Sequence, residues 1–189
     1  MIDPTNITNY ALTLFKLEET LLFWVLAAGK NGTTTARLLD NLLIDIEADK
    51  IGVFNAFRLY TKPKSIALEL KEHGIGCYNQ KARTIFELIH LDLDLKTCTA
   101  EALELVHGIG MKTSRCFLIH SRENIQYAGI DTHMLKNLRV NGIEGVPKTT
   151  PTSKKLYRRL ELEVLRLSRE AGLTPAQYDL GVWNTYAVK

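Results

Sequence analysis

Apolar residues recur along the chain at intervals of three and four positions, which is the period of an α-helix. Strand-like alternation of apolar and polar residues is scarce. Glycine-containing turns at residues 29–32 and 141–142 interrupt the helical pattern. The pattern therefore predicts an all-α fold, with helices over residues 12–26, 33–46, 53–59, 63–71, 81–89, 99–106, 112–120, 131–140, 154–171 and 174–183.

The composition is that of an ordinary globular protein, since 46% of the 189 residues are apolar and 24% are charged. A formal net charge of +3 is compatible with a nucleic-acid partner but does not require one. The longest apolar run, Leu21–Ala28, is too short to cross a bilayer. We expect a cytoplasmic, nucleoid-associated protein with no membrane partner.

Cysteine usage excludes one class of cofactor. The three cysteines, Cys77, Cys98 and Cys116, are far apart and form no C-x-x-C motif. This pattern is typical of free thiols in a reducing compartment. Three thiolates also cannot supply a four-cysteine iron–sulfur cluster.

Two glycines bracket a single apolar residue at Gly108-Ile109-Gly110, between two predicted helices. Glycine permits a very tight turn, which leaves backbone amides free to point at an anion. A DNA phosphate suits such amides at the start of a helix. An ordinary helix–helix turn has the same pattern, so the residues alone leave both interpretations open.

The hairpin and the residues after it resemble the helix-hairpin-helix (HhH-GPD) DNA glycosylase superfamily. Lys112 follows the second hairpin glycine by two residues, and Asp131 and His133 follow 19 and 21 residues after that lysine. The segment 76–82 is similar to the glycine–tyrosine–lysine–alanine helix start of the same superfamily. The resemblance implies one domain, 1–189, folded into two helical lobes with the active site in the cleft between them. It places residues 1–30 and 131–189 in one lobe and 31–130, with the hairpin, in the other.

The C-terminal part is most similar to the archaeal, second type of 8-oxoguanine DNA glycosylase. The similarity is carried by Val146-Pro147-Lys148-Thr149, the charged helix, residues 178–183 and the final Lys189. Two positions depart from that type. His107 stands where many relatives have proline, and the interval between Trp183 and Lys189 is shorter.

The resemblance implies that Lys112 is the nucleophile. A glycosylase flips its base out of the duplex before it breaks the bond to the sugar. The positive end of a helix disfavours the ammonium form of a lysine in its first turn. A neutral amine can attack C1′ and form a Schiff base, and β-elimination then nicks the strand. Taken alone, Lys112 is one of 24 basic residues, and contact with phosphate is then the better interpretation.

Asp131 is the carboxylate that the resemblance assigns to catalysis. It precedes a predicted helix, so its side chain can cap the helix amides and stay ionised. An ionised carboxylate stabilises an oxocarbenium-like sugar and can take a proton from Lys112. A helix cap with no chemical role is the alternative.

The resemblance also assigns contacts to other residues. Lys30 or Asn31 would fill the space left by the flipped base. The DNA-binding set is Gly108, Gly110, Thr113, His133, Lys30, Asn31, Lys81 and Lys148. The base pocket would contain Asp179, Trp183 and Lys189. No cofactor is expected beyond a monovalent sodium or potassium ion on the hairpin carbonyls of Glu104, Val106 and Ile109.

The resulting hypothesis is a monomeric bifunctional glycosylase and AP lyase that excises 8-oxoguanine from double-stranded DNA in base excision repair. A second hypothesis keeps the chemistry but changes the base, for example to the glucosylated hydroxymethylcytosine of phage DNA, in an antiviral role. A third is a hairpin module that binds DNA without catalysis. Lys112 and Asp131 together argue against the third hypothesis, because a binding module needs neither.

Overall fold

The computed structural model describes residues 1–91 and 93–187, and this part of the chain is built from helices. A short 3₁₀ helix, Pro4–Asn6, precedes the α-helices. These are α1 Leu14–Ala27, α2 Gly32–Asp45, α3 Ala48–Ile51, α4 Val53–Arg58, α5 Pro63–Glu72, α6 Tyr78–His90, α7 Ala100–Leu103, α8 Met111–Ser121, α9 Thr132–Val140, α10 Lys154–Glu170 and α11 Pro175–Ala187. None of the helices in these residues is long and apolar enough to span a bilayer.

Capping residues set the helix starts. Apart from α6, the predicted helices begin within two residues of the expected positions, and α3 was not predicted. The Asn31 side chain accepts the Thr34 N–H at 2.9 Å, so α2 begins at Gly32 and its threonines lie inside the first turn. Cys77 precedes α6 in a left-handed conformation, with φ of 57°, so that helix begins three residues earlier than predicted. The hairpin's first helix, α7, is shorter than predicted because the chain turns after Leu103.

The chain divides into two compact units. The first contains residues 1–4 and 11–110, and the second contains residues 5–10 and the chain from Met111 onward. This division differs from the lobes that the resemblance implies. Helix α1 belongs to the first unit because its buried side chains pack against α2, α4 and α6.

The core of the second unit is formed by α9, α10, α11 and the segment before α9. Its buried members are Ala128, Ile130, Met134, Leu135, Leu138, Tyr157, Leu160, Val164 and Val182. Helix α10 contributes one apolar stripe at helical spacing, while its basic side chains are exposed. The opposite face of this charged helix is therefore solvated.

Candidate active site

The hairpin turn in the first unit depends on glycine at Gly108. Its φ is 84°, and a Cβ at this position would lie 2.3 Å from Thr84 Oγ1 on α6. The His107 N–H donates to Glu87 Oε2 at 2.8 Å, which fixes the turn to α6 and lowers the pKa of Glu87. Gly110 is exposed and has open space where a Cβ would stand. Proline at position 107 would lack the N–H that Glu87 accepts here.

Asp131 caps α9 in the second unit. Its backbone is extended, and its carboxylate accepts the Met134 N–H at 2.7 Å. This confirms the predicted cap. Lys112 lies in the first turn of α8 in the same unit, and its ammonium acts electrostatically to lower the pKa of Asp131. Lys112 of the predicted catalytic pair therefore acts on the Asp131 carboxyl within the same unit.

The net direction of the Asp131 pKa is nevertheless upward. Burial of the carboxyl is the largest cause, and the nearby Asp179 carboxylate adds to it. The cap hydrogen bond and the Lys112 ammonium oppose the increase without overcoming it. Asp131 consequently holds a proton more strongly than an exposed aspartate does.

The extended segment that leads into Asp131 is held by side chains from α10. The Tyr157 hydroxyl accepts from the Ile130 N–H at 2.9 Å and donates to the Ala128 carbonyl at 3.0 Å. Glu161 accepts the Ala128 N–H at 3.1 Å. These contacts satisfy backbone groups that would otherwise be buried without partners. Sequence reasoning missed both residues, because tyrosine and glutamate on a charged helix carry no special signal.

Gly129 lies against the inward face of α8. A Cβ at this position would stand 2.3 Å from Cys116 Sγ and 3.6 Å from Asp179 Oδ1. Burial raises the pKa of the Cys116 thiol well above its usual range, so this cysteine is unreactive at neutral pH. The three cysteines are free thiols, as predicted.

Asp179, predicted for the base pocket, lies on α11, and its negative charge raises the pKa of Asp131. Its Oδ2 is 3.1 Å from His120 Nε2. Trp183 follows Asp179 by four positions on the same helix, so both lie on one helix face, and Trp183 is half-buried. Lys189 lies outside the described residues.

The predicted DNA contacts divide into exposed and buried residues. Lys30, Asn31 and Lys148 are exposed. Lys81 is buried, and its ammonium donates to the Leu26 carbonyl at 2.7 Å. This placement does not suit contact with DNA, because α6 directs the side chain inward to the end of α1. The Thr113 side chain is also buried, at 5% exposure.

His133 is half-buried on α9. Its ring lies parallel to that of Tyr186, with the ring centroids 6.4 Å apart. The Lys136 ammonium lies 4.3 Å from the centroid of the same tyrosine ring. Two cationic or potentially cationic groups therefore flank one aromatic side chain at this surface.

Comparison with known proteins identifies the fold. No protein-family model matches the chain. The 8-oxoguanine DNA glycosylase of Thermotoga maritima superposes with a TM-score of 0.71 at 24% identity, covering 94% of this chain and 82% of the other. The 8-oxoguanine DNA glycosylase of Methanocaldococcus jannaschii gives a TM-score of 0.72 at 21% identity, over 97% of this chain and 84% of that enzyme. This chain has the 8-oxoguanine DNA glycosylase fold.

A second M. jannaschii structure has the same glycosylase fold and was determined in complex with a 15mer DNA containing 8-oxoguanine. It matches 95% of this chain at 21% identity, with a TM-score of 0.71. The helices of the described residues confirm the all-α prediction, and the match to the glycosylase fold agrees with it. Within that fold, the second unit brings Lys112 and Asp179 near Asp131, and both act electrostatically on its carboxyl.

Proposed function

We propose that this protein is a bifunctional DNA glycosylase that removes 8-oxoguanine from double-stranded DNA and nicks the strand at the resulting site. The observation that carries the proposal is that Lys112, in the first turn of α8, and Asp131, the cap of α9, lie in one unit, where the Lys112 ammonium acts on the Asp131 carboxyl. The glycosylase fold adds support, because solved structures that share it are 8-oxoguanine glycosylases.

In the first step, the Lys112 amine attacks C1′ of the flipped nucleotide. The bond from C1′ to the base nitrogen breaks, its electron pair leaves with the base, and a proton neutralises the base. Lys112 must first lose a proton, and in this proposal Asp131 accepts it. A carboxylate with a raised pKa is a better proton acceptor than an ordinary aspartate, which suits this role.

In the second step, the sugar ring opens and the C1′–Nζ bond becomes a Schiff base. Loss of a proton from C2′ then expels the 3′ phosphate with the electron pair of the C3′–O bond. Hydrolysis of the imine releases the enzyme. The proton from C2′ needs an acceptor, and Asp131 can act again once it has passed on its first proton.

DNA binding is assigned to groups that are accessible in each unit. In the first unit these are the amides of Gly108 and Gly110 and the exposed Lys30 and Asn31; in the second they are Lys148 and His133. Asp179, Trp183 and Lys189 remain the proposed base-pocket residues.

A monovalent ion on the carbonyls of Glu104, Val106 and Ile109 also remains part of the proposal. The Val106 carbonyl already accepts the Ile109 N–H at 3.1 Å, and its second lone pair stays available for an ion. An ion there would neutralise part of the negative charge that a phosphate brings to the hairpin.

Borohydride trapping on a duplex containing 8-oxoguanine tests the chemistry. The native protein should form a covalent adduct, and Lys112→Gln should bind the duplex without forming one. Lys155→Gln, which changes an exposed lysine on α10, is the matched control and should trap normally. An adduct that persists in Lys112→Gln would reject the assignment of the nucleophile.

The base is tested separately with duplexes that differ only in one nucleotide. The duplexes carry 8-oxoguanine, glucosylated hydroxymethylcytosine or undamaged guanine. Release of only the glucosylated base would retain the chemistry and reject 8-oxoguanine as substrate. Binding to every duplex with no base release would instead favour the non-catalytic module.

A further inference from the structure

A buried histidine connects the N-terminal segment of the second unit to Asp179. The Thr8 hydroxyl lies 2.7 Å from His120 Nδ1, and His120 Nε2 lies 3.1 Å from Asp179 Oδ2. The His120 side chain is only 1% exposed, and that of Asp179 is 15% exposed. The Asn9 N–H also donates to the His120 carbonyl at 2.9 Å, which fixes the segment to the end of α8.

This arrangement orients the Asp179 carboxylate. Because Oδ2 is engaged by His120, the other oxygen, Oδ1, is the one that lies near Gly129. Gly129 precedes Asp131 by two residues, and the charge of Asp179 acts on the Asp131 carboxyl. The imidazole thus determines which oxygen of Asp179 faces the segment that carries the candidate active-site carboxylate.

The hydrogen bonds also agree with an ionised Asp179. An ionised carboxylate only accepts, so Nε2 must carry the ring proton and donate to Oδ2. Nδ1 of a neutral ring then accepts from the Thr8 hydroxyl, and Nδ1 of a protonated ring donates to it, so the Thr8 contact is compatible with either form. The Thr8 hydroxyl, both ring nitrogens of His120 and Asp179 Oδ2 therefore each have a compatible partner.

We propose that His120 is a positioning residue, which holds the Asp179 carboxylate beside Asp131 while Thr8 fixes the imidazole from its other side. The inference rests on the proposed function, in which Asp131 exchanges a proton with Lys112. The charged or titratable groups that act on Asp131 are Asp179 from α11, Lys112 from α8 and His133 from α9. Of these, Asp179 is the one that favours the protonated form.

The inference is tested on the protein without DNA, by ¹³C NMR titration of the Asp131 carboxyl. Asp179→Asn removes the neighbouring charge and should lower the pKa of Asp131. Thr8→Val and His120→Gln keep the Asp179 charge but no longer hold its carboxylate in one orientation. Each should therefore lower the pKa of Asp131 by at least half as much as Asp179→Asn does. Thr8→Ser keeps the hydroxyl and is the matched control, with no change expected.

A double variant separates positioning from an independent effect. If Thr8 acts through Asp179, Thr8→Val combined with Asp179→Asn should lower the pKa of Asp131 no further than Asp179→Asn alone. The pH profile of single-turnover base release should show the same effect. Its acid limb should move to lower pH in Thr8→Val and stay in place in Thr8→Ser. Melting curves establish that each variant is folded.

An unchanged Asp131 titration in Thr8→Val and His120→Gln, beside a decrease in Asp179→Asn, would overturn the inference. If His120→Gln fails to fold, Thr8→Val decides the question by itself. Because the titration needs no substrate, the two proposals fail separately. If the Asp131 titrations agree with the prediction but no duplex loses a base, the glycosylase function is rejected and the positioning role stands.

Discussion

Arg115 and Glu161 form a buried ion pair in which Arg115 Nε donates to Glu161 Oε1 at 2.8 Å. The side chain of Arg115 is fully excluded from solvent, and that of Glu161 is 6% exposed. The same glutamate oxygen accepts the Ala128 N–H. The pair therefore ties the helix that carries Lys112 to the segment that leads into Asp131.

Glu161→Ala should destabilise the protein by about 3–5 kcal/mol, because it leaves the buried Arg115 guanidinium without its counter-charge. The Ala128 N–H would lose its acceptor in the same variant. Urea unfolding followed by circular dichroism measures the change. Glu170→Ala is the matched control, since it breaks an exposed ion pair with Arg166 on the same helix and should have little effect. Equal losses in the two variants would contradict a structural role for the buried pair.

Gly129→Ala should destabilise the protein by about 1–3 kcal/mol through overpacking against the Cys116 sulfur. Gly129 is not among the glycines with positive φ, so the backbone itself accepts a Cβ. Cys116→Ala removes the obstructing atom, and the double variant should recover most of the loss measured for Gly129→Ala. Thermal melts of the two single variants and the double variant complete the cycle. A loss that is additive in the double variant would exclude the sulfur as the cause.

Gly108→Ala is expected to behave differently, although its Cβ would meet Thr84 Oγ1 equally closely. The φ of 84° adds backbone strain of about 1–2 kcal/mol for any residue with a Cβ. Thr84→Ala should therefore recover only part of the stability lost in Gly108→Ala. Full recovery in the double variant would mean that the turn needs space alone, and that its conformation costs nothing.

Local features of the fold could be predicted from the sequence. Helical periodicity predicted α8 and α10, and the short polar residue before an apolar run predicted the Asp131 cap. Both depend on residues within a few positions of each other. Gly108 belongs to the same class, because a glycine between two helices indicates a tight turn.

The residues that organise the site could not be predicted in this way. Thr8 and His120 are 112 positions apart, and Tyr157 follows Ile130 by 27, so their contacts arise only from tertiary packing. Lys81 shows that a local motif can also mislead. Its motif suggested contact with DNA, but the motif does not indicate which face of α6 is buried. The structure turns that lysine inward to the Leu26 carbonyl.

Asp131→Asn should slow single-turnover base release by about 10²–10³, the range for loss of a group that stabilises developing charge. The same change should make the folded protein more stable at pH 7. Asparagine keeps the cap on α9, and it removes a carboxylate whose charge is disfavoured by burial and by Asp179. The comparison requires base-release rates and unfolding curves for the same preparations.

The pH dependence of this stability difference identifies its cause. A raised pKa means that the folded protein binds the Asp131 proton more tightly than the unfolded chain does. As the pH rises above about 3.9, the ordinary value for an unfolded aspartate, the unfolded chain loses this proton first and the folded state is progressively disfavoured. The cost is complete above the folded pKa. The stability advantage of Asp131→Asn should therefore be present at pH 7 and shrink as the pH falls toward 4. A variant that is less stable than the native protein by the same amount at both pH values would mean that Asp131 serves only as a helix cap.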